Sequence, residues 1–189
     1  MPPHAIIDRL APARRLISTA GRIAAATLLA FPLVTAAATY KAVQLSDDRT
    51  RLRITTAEGE QFDAPRLDEQ VGFDQPRLSA DGRHVGWLAL FPNCCTSYPI
   101  PLKLVVLDPQ RQQHSFVGME ISIFAWCFMP KSSSVAYWQG VLHGSEFRHY
   151  EWRNIADGRL LGEYEYPHNE AANARARQRA PAWVRCVAE

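Results

Sequence analysis

Apolar residues in the body of this chain fall in short runs separated by polar turns, the pattern of strands and not of helices. Residues 75–95, QPRLSADGRHVGWLALFPNCC, set the theme: a short apolar strand, a tight turn at Ala80-Asp81-Gly82, then a second apolar strand. A degenerate copy follows. When residues 75–88 are laid on 125–138, Leu78 falls on Phe128, Val85 on Val135, Gly86 on Ala136 and Trp87 on Tyr137. A second hairpin-like segment follows each copy. The first is 102–117, with a turn at Pro109-Gln110, and the other is 147–166, with a turn at Asp157-Gly158. Residues 51–62, RLRITTAEGEQF, form one more hairpin. Leu52, Ile54 and Thr56 alternate there with Arg53 and Thr55, and Glu58-Gly59 makes the turn because glycine permits positive φ. This hairpin reads as the last half of a preceding unit, and 64–70, polar and holding Pro65, reads as a connector.

Each full unit is therefore a four-stranded antiparallel meander with a period of about fifty residues, as in propeller blades. The expectation is an all-β fold of two to two-and-a-half such meanders, in one β-rich domain over 39–189. A closed propeller takes about four to eight blades. The chain cannot close a ring alone; it must pack sheets face to face, wrap one around a helix or oligomerise, and a partial propeller or a sandwich of meanders is the preferred expectation. Residues 169–180, NEAANARARQRA, suit a short helix within a tail starting near 168, with Asn169 as cap, Glu170 near the start and arginines toward the end. A disordered basic tail is the alternative. Pro181 ends that segment, and Trp183 and Val184 are expected to dock back on the sheet.

The turn residues carry a resemblance. LSADGRHVGW is similar to the core of TolB-type β-propeller repeats, in which a Ser-Pro-Asp-Gly turn precedes a strand of the form x-Val-Ala-Tyr/Trp. Here Ala80 stands in place of the proline, while FMPKSSSVAYW keeps a proline and loses Asp-Gly. The resemblance spans residues 51–166 and implies a propeller-like scaffold that binds another protein or an envelope component. The chain also resembles a group of small exported bacterial proteins of no established activity. That likeness rests on Val85-Gly86-Trp87, on Asn93 to Pro99 (NCCTSYP), on Trp126 to Phe128, and on His143 to Glu151.

The N-terminus differs in kind. Arg9, Arg14, Arg15 and Arg22 precede a stretch, 23–40, that carries no charge and contains Ala36-Ala37-Ala38. Basic, apolar and small segments in that order predict a secretory signal peptide over 1–38 and a mature chain starting near Thr39. An uncleaved anchor that leaves the body facing the periplasm is the alternative, and would be the chain's only membrane contact. The body is expected to be periplasmic or extracellular. The chain's net charge of +2 comes from this leader, so the near-neutral remainder gives no reason to expect nucleic-acid binding.

Candidate chemistry is sparse. Four cysteines in an oxidising compartment make Cys94, Cys95, Cys127 and Cys186 disulfide candidates, with three connectivities open. A Cys94–Cys95 bond would close a strained ring, and pairing of either with Cys127 or Cys186 is the other route. The loop PNCCTSYPIP is stiffened by Pro92, Pro99 and Pro101, and presents Asn93, Cys94, Cys95 and Tyr98 as contact residues. His143 and His149, with Glu146 and Glu151 nearby, form a second candidate binding group at no established metal spacing. Asp47-Asp48 reads as a solvated turn, and Glu163/Glu165 as a solvated strand face. No G-x-S-x-G, H-E-x-x-H or P-loop pattern is present. No catalytic set, cofactor or metal is therefore assigned. The preferred reading is a binding module for an unknown protein or envelope component, with enzyme activity left open. A metal-binding or thiol-dependent periplasmic protein using the Cys94-Cys95 loop is the alternative.

Overall fold

The computed structural model describes residues 37–94, 97–118, 122–131, 133–141, 147–167 and 178–188. They belong to the compact unit 35–189, and the leader expected over 1–38 lies almost wholly outside the described residues. Among the described residues no helix is long and apolar enough to cross a membrane.

Three antiparallel meanders succeed one another. The first sheet is β1 (Tyr40–Leu45), β2 (Leu52–Thr56) and β3 (Gln61–Asp63). The second is β4 (Gly72–Leu78), β5 (Val85–Phe91), β6 (Ile100–Leu107) and β7 (Gln113–Phe116). The third is β8 (Ser122–Phe128), β9 (Ser134–Gly140), β10 (Phe147–Asn154) and β11 (Leu160–Pro167). A helix, α1 (Ala182–Ala188), closes the described chain. The expected all-β meanders are present, and the incomplete leading unit has three strands because β1 precedes the hairpin read at 51–62. The repeat alignment is also the structural one: Leu78 pairs with Val85 in the second sheet as Phe128 pairs with Val135 in the third.

The sheets stack face to face, and period-two burial assigns each side chain to a layer. β5 is buried along its whole length. Val85, Trp87, Ala89 and Phe91 join Val105 and Leu107 against Tyr40, Leu52 and Ile54 of the first sheet. Leu88, with Leu104 and Val106, points the other way, onto Trp126, Val135 and Tyr137 of the third sheet. A strand buried on both faces needs the near-continuous apolar run that VGWLALF supplies. Each large side chain so buried stabilises the stack by about 1.5–3 kcal/mol. The far face of the third sheet, with Ala136 and Tyr150, is covered by Val184 and Val187 of α1. At the opposite end of the stack the first sheet turns a polar face outward, where Arg53 pairs with Asp63 at 3.4 Å. Both ends are thus finished without ring closure, by polarity at one and by a helix at the other.

Local devices hold the layers in register. Ser79 Oγ donates to Asp81 Oδ1 (2.7 Å), which also accepts the Arg83 N–H, and Gly82 takes φ +68°. A Cβ on Gly82 would lie 2.8 Å from the Tyr40 carbonyl oxygen, so this turn docks β1 as well as reversing the chain. A bulge in β4 places Gln75 at φ +44° and turns it toward the third sheet. Gln75 Nε2 donates to the Phe124 carbonyl (2.7 Å), and Trp126 Nε1 donates back to the Gln75 carbonyl (3.1 Å). The outer edge of the Trp126 six-membered ring packs on Gly86, where a Cβ would come within 2.5 Å of it. That contact explains why the first copy carries glycine where the second carries Ala136.

Of the segment 169–180 expected to be helical, only 178–180 are described. The tail docks on the sheet through Val184, as anticipated, but in helical form. Cys127 of β8 and Cys186 of α1 form a disulfide that spans 59 residues of sequence. Asp47-Asp48 sits in the β1–β2 turn, where Asp48 accepts from Ser46 Oγ, Thr50 N and Thr50 Oγ1. These bonds hold its carboxyl down at about 2, and they are those of a turn.

Candidate functional site

The second strands β5 and β9 end at Phe91 and Gly140, at equivalent ends of their sheets. The loop after β5 holds four of the residues singled out in the sequence. Asn93 is half-buried, Cys94 is exposed with a free thiol, and Tyr98 is 54% exposed. Cys95 lies outside the described residues, as do His143 and Glu146 in the loop after β9. Two further apolar side chains stand exposed on the same half of the second sheet. Val71 (41%) enters β4 beside Leu90, and Val117 (58%) follows β7. Of the four large apolar side chains exposed among the described residues, only Leu160 starts a strand at the other end. The loop end of the second sheet is therefore where apolar surface gathers.

His149 belongs to a different construction. On β10, His149, Glu151 and Arg153 project from one face and Tyr150 and Trp152 from the other, following the strand period. The charged face is turned toward the second sheet and is buried: His149 is 4% exposed and Glu151 1%. Glu151 accepts from Tyr137 Oη (2.5 Å), Gln139 Nε2 (2.9 Å) and Arg153 Nε. Arg153 also donates to the Gly158 carbonyl. His149 Nδ1 donates to Glu165 Oε1 (2.6 Å), while Nε2 stands 3.4 Å from Glu151 Oε1 and makes no hydrogen bond. Gly118 closes over this row, since a Cβ there would lie 1.1 Å from Gln139 Oε1. Burial pushes the Glu151 carboxyl up, but the bonds from Arg153 and Tyr137 outweigh it and hold the group below the usual carboxylate range. The Tyr137 phenol is raised, first by burial and then by its bond to the carboxylate. The row keeps one buried charge pair satisfied, and its members are committed to one another.

Sequence reasoning placed His149 and Glu151 in a candidate group with His143, and read Glu165 as part of a solvated face. The structure joins His149, Glu151 and Glu165 and adds Tyr137, Gln139 and Arg153, which had gone unnoticed. The available signal was the i, i+2, i+4 spacing of His149, Glu151 and Arg153 on one strand. Among the described residues no group of three His, Cys, Asp or Glu side chains is placed to hold a metal ion.

At the opposite strand ends, a cleft of about 390 Å3 lies between the turns of the second and third sheets, lined by His84, Asp108, His114, Lys131 and Asn154 among others. His114 Nε2 meets Asp108 Oδ2 at 2.9 Å. Burial would raise Asp108, but the bond to His114 and the Gln112 and Gln110 backbone N–H groups bring it below the usual range. His84 is half-buried with Nδ1 unpaired, and burial lowers its pKa. These shifts fix a pH response. For His84 the folded state favours the neutral ring, so its contribution is complete above an unfolded value of about 6.5 and declines as pH falls below it. Asp108 and Glu151 are depressed carboxylates, so theirs is complete above about 4 and is lost as pH falls through their folded values. Thermal unfolding from pH 7.5 to 3 is expected to show the midpoint dropping in both windows, with His84→Gln flattening the upper one. A midpoint that rises on acidification from pH 6.5 to 5 would contradict this assignment.

Fold and site together define an all-β stack of blade-like sheets with one loop-bearing end. No protein-family model matches this chain, and neither does any curated protein. Among solved structures, hydrazine synthase of Kuenenia stuttgartiensis is similar over 68% of this chain and 37% of its own, with 16% identity and a TM-score of 0.40. The periplasmic gluconolactonase of Pseudomonas aeruginosa is similar over 66% of this chain and 38% of its own, with 17% identity and a TM-score of 0.37. The chain spans little more than a third of the length of either.

Proposed function

We propose that this chain is an exported binding module built from TolB-type propeller repeats, which engages another protein or an envelope component through the loop end of its second sheet. The observation that carries this reading is the grouping of Val71, Tyr98 and Val117 as exposed apolar side chains on that half of one sheet. Tyr98 is framed by Pro99 and Pro101, so the loop loses little freedom when it is covered. The interior supports the same division of labour. In the buried row, Glu151 takes up Tyr137, Gln139 and Arg153, and only His149 Nε2 is left without a hydrogen bond, so recognition is left to the surface. Export rests on the leader pattern, and the Cys127–Cys186 disulfide supports it because such bonds persist in oxidising compartments.

A photo-crosslinking residue placed at position 98 in living cells is expected to form a discrete adduct. That adduct should weaken when Val71 and Val117 are changed to serine, and should be missing when the probe sits at Glu58, in the β2–β3 turn. No adduct at 98, or the same adducts at 98 and 58, would overturn the assignment of this surface.

A further inference from the structure

A trough of about 560 Å3 lies where the β4–β5 and β8–β9 turns meet α1, away from the loop end of the second sheet. Leu78, Phe128, Met129 and the Cys127–Cys186 disulfide give it an apolar lining, with Ala182 of α1 forming part of its wall. Two cations border it, Arg77 and Lys131, and among the described residues its lining includes no carboxylate. Neither cation forms an ion pair among the described residues. Arg77 is held with its guanidinium 5.7 Å from the centre of the Trp126 ring. Lys131 occupies the left-handed region at φ +76°, a conformation that lysine rarely adopts. The neighbouring cleft, which Lys131 also lines, differs in holding Asp81 and Asp108 among its lining residues.

A trough of ligand size whose described lining is apolar but for two cations, with no acid among those residues, selects for one kind of molecule. We propose that this trough binds a small apolar carboxylate, such as a medium-chain alkanoate, with its hydrocarbon body along Leu78, Phe128, Met129 and the disulfide and its carboxylate between Arg77 and Lys131. A guanidinium can grip the carboxylate with two parallel hydrogen bonds, and lysine adds a mobile point charge. A neutral molecule of the same length gains the apolar contact alone. The site is independent of the loop end and stands or falls separately from it.

The test is calorimetric titration of the intact, oxidised protein with decanoate, 1-decanol and decylammonium. Decanoate is expected to bind at least about 10-fold tighter than decanol, one charge-assisted contact being enough for that, and decylammonium more weakly than either. Arg77→Gln and Lys131→Gln should each weaken decanoate about 10-fold and leave decanol unchanged. Ala80 is exposed at the rim, so Ala80→Trp can fill the trough without touching the core and should abolish decanoate binding in a protein that still unfolds cooperatively. Equal affinities for decanoate and decanol, or full decanoate affinity in Ala80→Trp or in the Arg77→Gln/Lys131→Gln double variant, would overturn the proposal.

Discussion

Replacing Glu151 by alanine is expected to cost the fold about 3–5 kcal/mol, the range for removing one partner from a buried ion pair. The size follows from what the carboxylate leaves behind. Arg153 would keep a partly desolvated charge whose remaining hydrogen bonds go to the Gly158 carbonyl and the Tyr137 oxygen. Tyr137 Oη and Gln139 Nε2 would lose the acceptor they share on β10, and both side chains are fully buried. For a domain of this length the loss lowers the unfolding midpoint by roughly 6–20 °C. Glu151→Gln keeps the shape and two acceptor sites and should cost less. In a double-mutant cycle, Glu151→Ala with Arg153→Leu should be clearly less damaging than the sum of the two single changes, because the uncompensated charge is gone. Strict additivity would mean that the two side chains do not share a network.

Reducing the Cys127–Cys186 bond is expected to have the second large effect. Releasing a cross-link across 59 residues returns about 4 kcal/mol of chain entropy to the unfolded state. The midpoint should then fall by roughly 8–16 °C. The structural consequence is specific. α1 has seven residues, too short to persist as an isolated helix. Freed from β8, it should leave the third sheet and expose Ala136, Tyr150 and the partly covered Trp138 and Trp152. Dithiothreitol should therefore increase binding of an apolar dye at temperatures well below the midpoint. Equal midpoints for oxidised and reduced protein would show that the helix docks without the bond.

The parts of the fold that could be read from the chain are those set by neighbours in sequence. The turn at Ser79–Gly82 is made by local bonds from Asp81 and by positive φ at Gly82, and it places Leu78 opposite Val85 without help from elsewhere. The apolar run of β5 announces a strand buried on both faces. β1 was not read, since YKAVQL mixes exposed and buried positions and owes its place to contacts with Gly82 and Asp108, far along the chain. The charged row on β10 was not read for the same reason. Alternation of His149, Glu151 and Arg153 with Tyr150 and Trp152 says that the two faces differ, but not which one meets another sheet. Four cysteines left three pairings open, and the choice follows from where the tail docks. Pro181, read as the end of one helix, also begins α1, its carbonyl accepting from Val184 and Arg185. The candidate loop was legible from its prolines and cysteines, whereas the contribution of Val71 and Val117 depends on strand ends that meet only after folding.

The described run of blades presents a polar face at one end of the stack and a helix tied to β8 at the other. Non-reducing peptide mapping by mass spectrometry on protein recovered from outside the cytoplasm tests this arrangement most directly. The structure predicts one peptide pair joining Cys127 to Cys186, with Cys94 open to alkylation. A bond from Cys186 to Cys94 or Cys95 would take α1 to the loop after β5, at the opposite end of the second sheet, and would contradict the account.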